Sequence, residues 1–259
     1  DTVNIIKEPT ITVSAYNRGL NLQTQELVDD QIQVTVDQSS YFQFAVDDVE
    51  KKVAHHNWTE LAIGAAAYAI RDDYDSTVLT YMKGQAPSAN ISGSDSATAT
   101  GDITSTSAGL DLGYDAGEIS PLRLMARAAR LLDDQNVPED NRWFVAKPDF
   151  WEIMADENSK LLDHDWSRDS DSKLRNGRVT DGLIRGFRCY KSNNMPAATS
   201  ATNAALWGHM SSTATASQIA KTEVIRSEMT FADKVRGMHL YGRKTLRTEA
   251  LGISYYIVD

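Results

Sequence analysis

Residues 31–37, Gln-Ile-Gln-Val-Thr-Val-Asp, alternate strictly between polar and apolar, and Tyr41-Phe-Gln-Phe44 continues the pattern. A period of two puts Ile32, Val34 and Val36 on one face of a β-strand. Ahead of it, Thr2–Ile6 and Thr10–Tyr16 carry β-branched residues and read as strands. A polar stretch with Gly19, residues 17–30, separates these from the alternating run. Two long strands around a polar tip describe an extended β-hairpin arm. Such a ribbon has too little core of its own to be stable alone. It therefore predicts a partner surface, and with it an oligomer.

A long helix is expected to follow, over Asn57–Lys83. Asn57 stands as N-cap with Glu60 three residues on, and Gly84 as the C-terminal stop. Trp58, Leu61, Ala62, Ala65, Ala66, Ala69 and Ile70 recur at helical spacing, an alanine-rich stripe that either faces the core of an ordinary buried helix or lets a sheet or a neighbouring helix approach closely. The helix would be roughly 40 Å long. Residues 84–122 contain no Lys, Arg or His and read as a surface loop or a loose β-excursion. Ser120-Pro121 then opens a second helix, with Leu124, Ala128, Leu131 and Leu132 on one face and Arg123, Arg127 and Arg130 on another; Val137-Pro138 ends it. Trp143–Ala146 reads as a short strand, and Asp149 as the cap of a brief helix, Phe150–Ala155. Glu157–Gly182 is charged and expected at the surface. Leu183–Lys191 reads as one glycine-hinged strand, Leu206–Met210 as a core strand, and Glu223–Phe231, Gly237–Gly242 and Ala250–Val258 as closing strands. Gly237 and Gly242 are expected to mark turns.

Charge and cysteine content narrow the chemistry. A formal net charge of −10, with no basic run longer than Lys51-Lys52, argues against a dedicated nucleic-acid binder, which needs a basic stripe. Hydrophobic residues at 41% and charged ones at 24% are ordinary for a globular protein, which disfavours wholesale disorder. Cys189 is the single cysteine, so no internal disulfide can form, which fits folding in a reducing cytoplasm. The apolar run Leu61–Ile70 is too short to span a bilayer, and no signal peptide is evident. Asp rather than Met at position 1 is expected for numbering that starts inside a longer gene product, with an arm cleaved or lying ahead of it.

Candidate catalytic groups are few. His55-His56 are adjacent and point to different sides of a strand or helix, so a metal there would need ligands from elsewhere. Asp163-His164-Asp165 with Asp169 and Asp171 is the densest acid–histidine cluster, but its spacing matches no calcium loop, and a solvated loop is the expectation. No Gly-x-Ser-x-Gly elbow is present, and Gly182-Leu-Ile-Arg-Gly186 lacks the Gly-Lys-Ser/Thr end of a phosphate loop. Cys189 lies mid-strand between Arg188 and Tyr190, where packing is favoured over reactivity. The expectation is no catalytic residue, no cofactor and no bound metal, hence no enzyme.

Four segments, taken in order, carry a resemblance. They are Phe44-Ala-Val-Asp-Asp48 leading into the long helix, Val137-Pro138 through Arg142 and an apolar strand to Pro148, Gly186-Phe-Arg-Cys-Tyr-Lys-Ser-Asn-Asn-Met-Pro196, and Val235-Arg-Gly-Met-His-Leu-Tyr-Gly242. Together they resemble the major capsid proteins of tailed double-stranded DNA phages, of the Hong Kong 97 type. Cys189, in place of an aliphatic residue, and the lack of an arm ahead of Asp1 depart from that pattern. The resemblance implies an α+β fold with an extended β-hairpin E-loop, a peripheral domain with a long spine helix, and an axial domain. Its division of the chain is the E-loop hairpin with flanking peripheral strands over 1–46, the peripheral domain over 47–118 with the spine helix at 57–83, the axial domain over 119–205, and return strands over 206–259. It further implies self-assembly through hexamers and pentamers into an icosahedral shell. Expected partners are a scaffolding protein, a portal, a decoration protein and packaged DNA held by weak nonspecific contact, with no membrane. The chain would reside in the virion shell, and in host cytoplasm during assembly. Two other readings stay open: an encapsulin-type nanocompartment shell, and a metal-dependent hydrolase using Asp163–Asp171.

Overall fold

A computed structural model describes residues 2–6, 11–16, 18–19, 21, 24–26, 31–53, 58–95, 99–100, 109–155, 183–196 and 202–258. In chain order the elements are β1 (Thr2–Ile6), β2 (Gln31–Asp47), α1 (Asp48–Val53), α2 (Trp58–Gln85), β3 (Ile91–Ser92), β4 (Ala99–Thr100), β5 (Gly109–Asp111), α3 (Pro121–Asp134), β6 (Arg142–Ala146), α4 (Pro148–Met154), β7 (Leu183–Ile184), β8 (Phe187–Lys191), β9 (Asn203–His209), β10 (Thr213–Arg226), β11 (Ala232–Thr245) and β12 (Leu251–Ile257). They form two compact units, residues 1–48 with 214–246, and 49–213 with 247–259. Among the described residues no helix is long and apolar enough to cross a membrane.

The first unit is a four-stranded sheet in the order β1-β2-β11-β10. β1 runs antiparallel to the start of β2, from Thr2 opposite Thr35 to Ile6 opposite Gln31. β11 takes the rest of β2, from Ala232 opposite Asp47 to Gly242 opposite Val36. The alternation read from the sequence is realised: Val34 and Val46 are buried, while Gln33, Thr35, Tyr41 and Gln43 face solvent. Residues 11–16, expected as strand, are not one. The Thr12 backbone N–H donates to the Gln25 side-chain amide oxygen at 2.9 Å, so a side chain satisfies it where a ladder partner was expected.

Gly237 and Gly242 do not mark turns, as the sequence led us to expect. Both lie inside β11, at places where the neighbour comes too close for a side chain. A Cβ on Gly237 would sit 2.3 Å from the Phe42 ring, and one on Gly242 2.1 Å from the Thr35 carbonyl oxygen, where the register slips by a bulge. The expected strand Glu223–Phe231 is likewise only half a strand. β10 ends at Arg226, and residues 227–231 form the turn into β11.

The second unit is an eight-stranded mixed sheet in the order β4-β5-β12-β9-β6-β8-β7, with β3 also paired to β12. The strands' period of two sorts side chains to its faces. Phe144, Ala146, Phe187, Cys189, Ala205, Trp207 and Tyr256 join α3 and α4 on one face. Ala204, Leu206, Leu251 and Ile253 meet Met82, Val78 and Leu79 of α2 on the other. With both faces covered, β12 is buried almost throughout, which accounts for its nearly unbroken apolar sequence. The Phe144 and Phe150 ring centroids lie 5.3 Å apart, and those of Phe150 and Tyr256 5.6 Å. Each fully buried aromatic of this kind contributes about 1.5–3 kcal/mol by burial.

α3 matches its sequence reading: Leu124, Ala128, Leu131 and Leu132 are buried, and Pro121 occupies the first turn. Ser120 makes no side-chain cap. The helix stops at Asp134 because Asn136 turns left-handed, at φ 55°, and the Val137 N–H closes onto the Leu132 carbonyl. α2 departs further. It runs through Gly84 to Gln85, and the stop is Ala86-Pro87, since the residue before a proline is driven out of helical conformation. Its alanine-rich stripe is largely outside: Leu61 is 65% exposed and Ala65 and Ala69 are exposed, while burial begins near Val78. Asp149 does not cap α4; Lys147 holds that position. Of residues 84–122, expected as a surface loop or a loose β-excursion, the described part follows the second: β5 pairs β12, and Leu110, Leu112 and Ile119 are buried.

Candidate assembly surface

The segment Leu183–Lys191 is not one strand but a two-residue hairpin, β7 to β8, pairing Leu183 with Arg188 and Ile184 with Phe187. Arg185 and Gly186 both have positive φ, 51° and 84°, the mirror-image turn whose twist suits two adjacent strands. Beyond β8, Ser192 Oγ accepts from the Asn194 N–H at 3.1 Å, and the Asn194 amide donates to Asp72 Oδ1 at 2.6 Å, tying this turn to the middle of α2. In the segment 137–148, the buried Arg142 gathers the carbonyls of Val137 and Pro138 and the Asp133 carboxylate, at 2.6, 2.8 and 2.7 Å. Asn90, also buried, donates to the Glu249 and Leu251 carbonyls and accepts from Gln135. Asp149 accepts from Asn203 at 2.6 Å and from the Tyr256 hydroxyl at 3.3 Å. Burial, followed by the charge of Asp149, pushes the Tyr256 phenol well above its usual range. These groups satisfy buried polar atoms and hold elements together.

The sites weighed for chemistry stay apart or lie elsewhere. Cys189 is buried, and burial pushes its thiol up to about 12, the opposite of an activated nucleophile. His55 and His56 lie outside the described residues, as do Asp163, His164, Asp165, Asp169, Asp171 and Gly182. Among the described residues no three His, Cys, Asp or Glu side chains come together as a metal site.

Large apolar residues stand exposed at several places in each unit. In the second unit they include Leu61 and Tyr68, on the amino-terminal half of α2. In the first they include Ile6, Val13, Tyr41, and Met229 and Phe231 of the turn 227–231. That turn is held firmly. The Ser227 N–H donates to the Ala232 carbonyl, the Asp48 N–H to the Phe231 carbonyl, and Arg226 bridges the Asp48 and Asp233 carboxylates. Hydrogen bonds to Asp48, then Asp233, raise the Arg226 guanidinium further above its already high range. Next to it, Glu223 is lowered to about 2 by hydrogen bonds from Lys221 and then Arg236. The sequence reading missed this turn, because β-branched residues on either side of Ser227-Glu228 masked the break.

No protein-family model and no curated protein matches the sequence. Solved structures do match. A chain of Mycobacterium phage Che8 aligns over 98% of this chain and 83% of its own, with TM-score 0.70 and 22% identity. A chain of the cyanophage P-SCSP1u capsid aligns over 100% and 83%, with TM-score 0.69 and 15% identity. The SrpI encapsulin of Synechococcus elongatus aligns less closely, over 90% and 77%, with TM-score 0.58 and 8% identity. A backbone path shared over the full described chain, at identities this low, is a likeness of fold. The chain thus has the α+β fold of phage capsid structures.

Proposed function

We propose that this chain is a major capsid protein that self-assembles into the icosahedral shell around a phage double-stranded DNA genome. The observation that carries this is the alignment of essentially the whole chain with solved phage structures, the P-SCSP1u capsid among them. On this reading residues 1–46 are the E-loop hairpin, laid across a neighbouring copy, with its flanking peripheral-domain strands. α2 is the spine helix of the peripheral domain, which takes in residues 47–118. Residues 119–205 form the axial domain around capsomer centres, and 206–259 return through both. A polar hairpin tip suits docking on a neighbour by strand addition or surface packing, and shell maturation would move it between two packed states. Scaffolding protein, portal and decoration protein belong to the same proposal. The acidic balance limits packaged DNA to weak contact.

Electron microscopy of the purified chain, with and without scaffolding protein, should show closed particles with this chain as the main band. A monomer under every condition would sink the reading. Deleting residues 19–30 should abolish particles and leave a folded subunit, whereas particles at normal yield would refute the E-loop assignment. The encapsulin reading is favoured by the weaker SrpI match. Particles from the native source should contain DNA; an enzyme cargo in its place would reverse the order of the two.

A further inference from the structure

The carboxyl end of β6 and the first residue of β9 bring an amine, a carboxamide and a carboxylate together. Lys147 Nζ donates to Asn203 Oδ1 at 2.8 Å, and Asn203 Nδ2 donates to Asp149 Oδ2 at 2.6 Å. The amine thus lies against the carbonyl side of the carboxamide, and the carboxylate against the nitrogen that the carboxamide would lose. Asn203 Cγ is one C=O bond, about 1.2 Å, from Oδ1, so it lies no more than about 4 Å from Nζ. The fold fixes all three groups. Lys147 directly follows β6, and Asp149 lies in the first turn of α4. Asn203 stands opposite Tyr256 in the β9–β12 ladder. The Tyr256 hydroxyl and the Phe150 N–H both donate to Asp149 Oδ1, at 3.3 and 3.1 Å, which leaves Oδ2 turned to Asn203. Tyr256 and Phe150 are fully buried, so the three groups rest on an aromatic floor.

The geometry points to an intrachain isopeptide bond between Lys147 and Asn203, formed by the chain itself with Asp149 as the proton carrier. Nζ, on a half-buried side chain, gives one proton to water and attacks Asn203 Cγ as the free amine. As the Nζ–Cγ bond forms, Nζ sheds a second proton to Asp149 Oδ2. As the Cγ–Nδ2 bond breaks, Asp149 passes that proton to Nδ2, which departs as ammonia. Asp149 ends as the carboxylate it began as, and no oxidant or cofactor enters. A lysine and an asparagine are inert towards each other in solution; holding them in contact supplies the proximity the reaction needs, and the carboxylate is within proton-transfer reach of the leaving nitrogen. The bond closes residues 147–203 into a covalent loop and ties the end of β6 to the start of β9.

Mass spectrometry of the purified full chain, folded and then denatured, reads the bond directly. The chain should be about 17 Da lighter than its sequence, and digestion should release a branched peptide joining the segments that hold Lys147 and Asn203. Lys147→Arg keeps the charge and the hydrogen-bond donors but forms no such amide, so it should restore the full mass with circular dichroism unchanged. Asp149→Asn should slow the loss of ammonia by about a hundredfold or more. Tyr256→Phe, which removes only the positioning hydroxyl, should slow it by less. A folded wild-type chain of full mass would overturn the proposal, as would a mass loss that persists in Lys147→Arg or maps to other residues. Loss at the wild-type rate in Asp149→Asn would overturn the role of the carboxylate. The proposal does not rest on the shell reading: closed particles built from chains of full mass would take down the bond and leave the shell standing.

Discussion

Gly242 illustrates how one position can govern a whole ribbon. Its missing Cβ leaves room for the Thr35 carbonyl, and backbone cannot rotate aside as a side chain can. Gly242→Ala should therefore destabilise the protein by about 1–3 kcal/mol, read as a lower urea midpoint. An unchanged midpoint would mean that the bulge can migrate. Glu223 makes a claim about pH. Its folded value of about 2 lies below its ordinary 4.5, so its stabilisation is complete above the ordinary value and is lost as pH falls through about 2. Carbon-detected NMR should find Glu223 titrating near that value, and Arg236→Ala should move it back up. Because the group is solvent-exposed, the gain is expected to shrink with salt. Cys189 was legible as a packing residue, since a lone cysteine in the middle of a strand has no second thiol to pair with. Arg226 was not, because its value depends on Asp48, far away in the sequence.

Among the elements, α3 and α2 mark the limits of periodicity. α3 carries leucines at helical spacing after Ser-Pro, and both its extent and its buried face follow. α2 carries mostly alanines at the same spacing. Alanine gains too little from burial to fix which face turns inward, so Val78, Leu79 and Met82 set the packing and leave Leu61 outside. Met82→Ala should cost about 2–5 kcal/mol and Leu61→Ala within about 0.5 kcal/mol, measured by chemical denaturation. A large loss at Leu61 in the isolated subunit would show that this face is covered there. The β7–β8 hairpin escaped notice because Arg185 is an uncommon residue at positive φ, and only Gly186 signalled a turn. In β11 the glycines looked like punctuation because close approach and turning leave the same mark in a sequence.

At the scale of the molecule, order along the chain was the legible quantity: hairpin, long helix, short strands, return strands. Its folding into two units was not, because each unit is assembled from segments far apart, such as Asp47 opposite Ala232. Charge adds a prediction here. Copies at −10 repel over about 10 Å at 0.1 M salt and over longer distances below it. On the proposed shell reading, assembly followed by light scattering should therefore quicken as sodium chloride is raised from low to moderate concentration. A rate that falls instead would place attractive ion pairs, rather than apolar contacts, at the rate-limiting step. The placement of β12 bears on timing. It lies between β5 and β9, yet the ribosome makes it after every other strand of its unit. At about 5–20 residues per second, the sheet waits on the order of seconds for the strand that joins its two sides. A nascent copy therefore cannot complete its larger core until the strand made last in that unit has left the ribosome.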